Sequence, residues 1–121
     1  MRALRVLLSL LVLLTGCTKH AHKERDYQTR LCDRLGGVME YRLADGARVD
    51  CLSDTYAVEV EFAKKWAEAA GQALYYAAQT GRKPAVGFIV RDTPKDHRRL
   101  QRLRILADRY AITIITLPRG D

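Results

Sequence analysis

Three acids fall where a small sheet has least room for them. The stretch from Val49 to Tyr76, VDCLSDTYAVEVEFAKKWAEAAGQALYY, places Asp50 in one apolar run and Glu59 and Glu61 in the next. Ser53-Asp54-Thr55 between the runs reads as a tight turn, so the pair predicts a β-hairpin. A long helical pattern follows directly. In the second run Val58, Val60 and Phe62 alternate with Ala57, Glu59 and Glu61, so the two glutamates share one face. Carboxylates on neighbouring strands repel one another, and burying one without compensation is costly. A divalent cation held between them is the simplest compensation.

Residues 1–16 stand apart from this. Arg2 and Arg5 precede an almost unbroken apolar run, Val6 to Leu14, too short to span a bilayer and patterned as a signal peptide. Leu14-Thr15-Gly16-Cys17 resembles a bacterial lipobox, which makes Cys17 the lipidated N-terminus of the mature chain. Thr18 after it is not an aspartate, which in the lipoprotein pattern leans towards the outer rather than the inner membrane. An ordinary signal peptide or an N-terminal anchor is the alternative, and every version places the domain outside the cytoplasm, in the periplasm. The expected division is a leader over 1–16, lipidated cysteine and tether over 17–24, and a domain over 25–121.

Removing the leader leaves 105 of 121 residues, enough for one domain with a modest core. The net charge of +7 falls by two with Arg2 and Arg5, and the surplus points to polyanionic partners. Cys32 and Cys51 remain once Cys17 is acylated; an oxidising compartment favours a disulfide between them, with two buried thiols as the alternative. His20, His22 and His97 lack metal-ligand spacing and receive no role.

Tyr27, Leu31 and Leu35 at i, i+4, i+8 predict a first helix over Arg25–Leu35, ended by Gly36-Gly37. Val38–Leu43 and Ala47–Leu52 read as strands joined by an Asp45-Gly46 turn, and Tyr56–Phe62 as a third. A second helix covers Lys64–Thr80. Ala85–Val90, apolar throughout, predicts a strand buried on both faces. Thr93-Pro94 reads as cap and first residue of a third helix, with Leu100, Leu103, Ala107 and Tyr110 as its apolar stripe. Ile112–Leu117 closes the chain. The order is αβββαβαβ, an α/β fold with a mixed sheet flanked by helices.

Metal-assisted phosphodiester hydrolysis needs carboxylates for the ion and a positive group near the phosphate. Asp50 and Glu59 on adjacent strands suit the first need, and Glu40 on the first strand is a further acid. On the second helix Lys65, Gln72 and Tyr76 fall within about 20° of one line, which continues from the carboxylates as a polar groove. Trp66, Ala70, Ala73 and Ala77 form a separate apolar stripe facing the sheet. The alternative is that the polar line is only the solvated face of an amphipathic helix.

Asp50, then Glu59-Val60-Glu61, then Gln72-x-x-x-Tyr76 on a helix resembles the PD-(D/E)XK nuclease superfamily, and the Gln–Tyr spacing is similar to that of RecB-type nuclease domains. The αβββαβ order matches that superfamily's core, so the resemblance covers roughly residues 24–117. It implies a restriction-endonuclease-like fold and Mg²⁺- or Mn²⁺-dependent hydrolysis of DNA. By position it implies Asp50 and Glu59 as metal ligands, with the Val60 carbonyl a further one. Gln72 and Tyr76 would then hold the site and the nucleic-acid strand. The pattern calls for lysine where this chain has Glu61. Either Lys65 supplies the positive group from the helix and Glu61 becomes an added ligand, or the site binds without cutting. Arg98 and Arg102, within a strongly basic C-terminal third, are candidates for phosphate contact. The competing reading is a catalytically silent nuclease-fold lipoprotein that binds nucleic acid or a protein.

Overall fold

The computed structural model describes residues 18–120. The expected signal peptide over residues 1–16 and the proposed lipidation site Cys17 lie outside the described residues. Helix α1 (Thr18–Leu35) leads into strands β1 (Val38–Arg42), β2 (Arg48–Leu52) and β3 (Tyr56–Phe62). A single 3₁₀ turn, Ala63–Lys65, precedes α2 (Trp66–Thr80), and β4 (Lys83–Val90), α3 (Pro94–Tyr110) and β5 (Thr113–Pro118) complete the chain. Two boundaries differ instructively from expectation. Helix α1 begins at Thr18, seven residues before the expected Arg25. Lys65 belongs to the 3₁₀ turn and not to α2, so the helical projection that aligned it with Gln72 and Tyr76 does not extend to it.

The five strands lie in the order β1-β2-β3-β4-β5. The first two pairings are antiparallel hairpins, and β3-β4-β5 run parallel. Both crossovers, α2 and α3, step in the same direction across the sheet, so connections of the same hand deliver both helices to one face. There Ala69, Ala70 and Ala73 of α2 and Leu103 and Ala107 of α3 pack on Val86 and Phe88. Helix α1 covers the opposite face, with Leu31 and Cys32 against Val58, Val60, Ala85 and Ile89. Strand β4 is therefore sandwiched, as its uninterrupted apolar run requires.

Close fits fix α1. Cys32 and Cys51 form a disulfide, tying the helix to β2. Gly37 sits so near it that an added Cβ would lie 2.5 Å from Cys51 Sγ and 3.0 Å from the Leu52 carbonyl oxygen. Local signals behave as their chemistry dictates. The Ser53 hydroxyl accepts the Tyr56 N–H at 2.9 Å in the β2–β3 turn, and the Tyr75 hydroxyl donates to Asp45 in the β1–β2 turn. Thr93 caps α3 by accepting the Asp96 N–H at 3.2 Å, while Asp96 in return accepts the Arg91 N–H at 2.9 Å.

Candidate functional site

The sheet comes apart at Asp50. Pairing between β2 and β3 holds at Cys51↔Val58 and Leu52↔Ala57. Beyond that point the Asp50 side chain replaces the ladder: its Oδ2 accepts the Val60 N–H at 2.7 Å. On the other edge, β1 and β2 pair on either side of Glu40 (Met39↔Cys51 and Tyr41↔Val49). Glu40 itself has φ 54°, in the left-handed region. A non-glycine residue there costs on the order of 1–3 kcal/mol and persists only when its surroundings impose it. Here they do. Gln28 of α1, buried at 5% exposure, donates one N–H to Glu40 Oε1 at 2.9 Å and the other to the Asp50 carbonyl at 2.8 Å. One amide thus satisfies the Asp50 carbonyl at the interrupted ladder and ties the Glu40 carboxylate to it.

Around this gap five carboxylates converge from four elements: Glu24 of α1, Glu40 of β1, Asp50 of β2, and Glu59 and Glu61 of β3. Glu59 and Glu61 are almost fully buried, at 6% and 8% exposure. Glu59 lies beside Asp50 and Glu24 beside Glu61, pairings that carboxylates keep at close range only while a proton remains between them. Glu61 Oε1 also accepts the Phe62 N–H at 2.9 Å. Glu59 Oε2 is buried and has no hydrogen-bond partner.

Burial and like charge work in the same direction here. Burial, then the charges of Asp50, Glu61 and Glu24, push Glu59 up to about 10. Burial, then Glu61 and Asp50, push Glu24 up to about 7, against a smaller downward pull from Lys65. Asp50 rises to about 6 through burial, although the Val60 N–H and the Glu59 hydrogen bond oppose the rise. Tyr76, buried on α2, is raised by burial and by the facing Glu59, Asp50 and Glu40, and so stays a neutral phenol.

The sequence-derived candidates divide accordingly. Asp50, Glu59, Glu61 and Glu40 are brought together, and Tyr76 faces them. Val60 contributes its N–H, given to Asp50. Gln72 is exposed, one turn before Tyr76, and takes no part in the cluster's hydrogen bonds. Lys65 is exposed and reaches the cluster only through its field at Glu24. The expected single line of Lys65, Gln72 and Tyr76 is thus corrected: Tyr76 is buried and the other two are not. Arg98 and Arg102 lie exposed on α3, with the Arg102 guanidinium 5.9 Å from the Trp66 ring centre. Glu24 and Gln28 were missed. Their signal was their spacing, since Glu24, Gln28 and Cys32 form an i, i+4, i+8 row beside the apolar stripe.

Among the described residues no three Asp, Glu, His or Cys side chains are disposed around one point as a ready ligand shell. Comparison with protein-family models, curated proteins and solved structures finds no match for the chain.

Proposed function

We propose that the chain is a Mg²⁺- or Mn²⁺-dependent nuclease of the PD-(D/E)XK type, with a restriction-endonuclease-like fold, lipid-anchored in the periplasm and hydrolysing DNA. The observation that carries this reading is the buried, partnerless Glu59 Oε2 inside a cluster of five carboxylates. A fold that merely needed a core would not gather acids where the sheet opens. The αβββαβαβ order supports the same reading, with the acids at the end of the β2–β3 hairpin beside the start of α2.

The donors fit a hard divalent cation in chemistry, because all are carboxylate oxygens. A bound ion would take the place of the protons that lie between Glu59 and Asp50 and on Glu24. Asp50 and Glu59 would hold the ion, with Glu61 and Glu24 beside them. When bound, the ion supplies Lewis acidity that polarises a phosphate and makes water a better nucleophile. Asp50 is oriented by the Val60 N–H and by Gln28 behind its backbone, so its carboxylate is held ready. Lys65, free to swing from the 3₁₀ turn, offsets charge developing on the phosphate oxygens. Tyr76 closes the cluster on the α2 side as a neutral group.

Glu61 in the position of the lysine favours one alternative, a silent site that binds and does not cut. Incubating the full chain with linear and supercoiled DNA in Mg²⁺ and in Mn²⁺, beside Asp50→Ala and Glu59→Ala, decides between them. Cleavage by wild type alone is the expected result. DNA left equally intact by all three, with salt-sensitive binding retained, establishes the silent site.

A further inference from the structure

A groove of about 700 Å³ runs between α1 and the end of β5, lined by Tyr27, Arg30, Arg34 and Leu117 among others. It exists because one helix cannot cover five strands: α1 lies over β1 to β4 and leaves the β5 margin open. Its Tyr27 end lies one turn of α1 from Glu24 of the acid cluster. Glu24 and Glu61 lie side by side, and beyond them on their elements come the aromatics Tyr27, one helical turn on, and Phe62, one residue on. Both rings border the same short segment of chain. The Gly120 N–H donates to the Tyr27 hydroxyl at 3.0 Å, and the Arg119 guanidinium lies 4.7 Å from the Phe62 ring centre. Further along, Arg30 covers the Tyr27 ring at 5.1 Å, and Arg34 follows one turn later. From Glu24 to Arg34 the run along α1 is about 15 Å.

We infer that this groove holds a single polynucleotide strand and feeds it to the carboxylate cluster, so that the substrate class is single-stranded DNA or the frayed end of a duplex. This rests on the nuclease reading for the chemistry, but not for the binding. Interleaved aromatics and arginines are what an unpaired strand requires: rings and guanidinium planes on which bases stack, and charges that follow the phosphates. In a duplex the base faces are already occupied by their neighbours, so Tyr27 and the two stacked guanidinium groups would have nothing to stack against. The arrangement also explains why arginine sits over each ring. A guanidinium resting on an aromatic face is pre-ordered and presents its other face outward. Asp33 at the rim is the one acid lining the groove, and it lies at the end away from the cluster.

The test uses the full chain in chelator, so that no cleavage intervenes, and a labelled oligothymidylate of about 15 nucleotides, near the upper site size of known single-strand binders. Anisotropy should show tighter binding to this strand than to a closed dumbbell duplex without ends. Arg30 and Arg34 are exposed, so Arg30→Glu/Arg34→Glu will fold. It should weaken strand binding by roughly tenfold or more and flatten the salt dependence. Strand binding unchanged in that variant overturns the inference. So does a loss confined to Arg98→Glu/Arg102→Glu on α3, or a dumbbell bound as tightly as the single strand. The nuclease reading fails separately: groove-dependent binding without Asp50-dependent cleavage leaves the groove standing. Cleavage indifferent to Arg30→Glu/Arg34→Glu removes the groove and leaves the nuclease.

Discussion

The carboxylate cluster should make the metal-free protein less stable as pH rises, the reverse of what carboxylates usually do. The perturbation is the removal of one proton from Glu59. Unfolded, Glu59 titrates near the ordinary value of 4.5; folded, it is pushed up to about 10. Between these values the native state holds one more proton than the unfolded state, so stability falls with rising pH. One proton corresponds to about 1.4 kcal/mol per pH unit, and from pH 5 to pH 8 this amounts to about 4 kcal/mol. Glu24 and Asp50, raised to about 7 and about 6, act with the same sign over the lower part of that window. Against a total stability of roughly 5–15 kcal/mol the effect is large. At about 4–8 °C per kcal/mol for a domain of this size, the melting temperature should drop by on the order of 15 °C or more.

The assay is thermal unfolding in chelator at half-unit steps from pH 5 to pH 8, with wild type and Glu59→Gln side by side. Glutamine keeps a donor to Asp50 and cannot ionise, so the variant should be the more stable protein at pH 8 and lose about one proton's worth of slope. The lower limit of pH 5 matters. Burial works to raise Asp96, but the Arg91 N–H and the Arg99 guanidinium outweigh it and hold the carboxyl below its usual range. Its stabilising contribution is complete above the unfolded value of 3.8 and is lost as pH falls through the folded one. Below pH 4 it would therefore tilt the curve the other way. A wild-type melting temperature that is flat or rising between pH 5 and pH 8, or a slope identical in Glu59→Gln, refutes the burial argument for the cluster.

Mn²⁺ or Mg²⁺ should restore at pH 8 the stability lost with the protons and do little at pH 5; calorimetry in buffers of different ionisation enthalpy should register proton release on binding, reduced in Glu59→Gln. Gly37→Ala should cost roughly 1–3 kcal/mol of overpacking, because the disulfide and the Leu52 carbonyl leave its methyl no room; a denaturant midpoint equal to wild type would contradict this. Reducing the Cys32–Cys51 bridge, which closes 19 residues of chain, should cost roughly 3 kcal/mol, and peptide mapping without reductant should find the two cysteines joined. Gln28→Leu should leave Glu40 and the Asp50 carbonyl without their donor, at about 1–3 kcal/mol each for acceptors left unmet, read by chemical denaturation.

Most of the fold was legible because its signals are local. The alternation in β3, the apolar run of β4, the Asp-Gly and Ser-Asp-Thr turns and the Thr-Pro cap each need only a few neighbouring residues to act. The candidate site was legible only where it inherits that locality. Glu59 and Glu61 share a face because strands have a period of two, and Asp50 meets them because a hairpin puts it opposite. What local periodicity could not give was Lys65. A 3₁₀ turn advances about 120° per residue, so a residue inside one is not where an α-helical projection puts it. Glu24 and Gln28 pose a harder problem. Polar side chains at i, i+4 on a short helix have the pattern of a solvated edge, and nothing within α1 distinguishes that from a buried row. The distinction lies in where α1 crosses the sheet, and one non-local mark in the sequence speaks to it. Cys32 continues the Glu24–Gln28 row by one turn, and Cys51 adjoins Asp50. If those two sulfurs meet, the polar row must lie over the strand that carries Asp50, and its members must find partners there. The disulfide, the strained Glu40 and the doubly engaged Gln28 are thus three consequences of one helix crossing, and the acid cluster is a fourth.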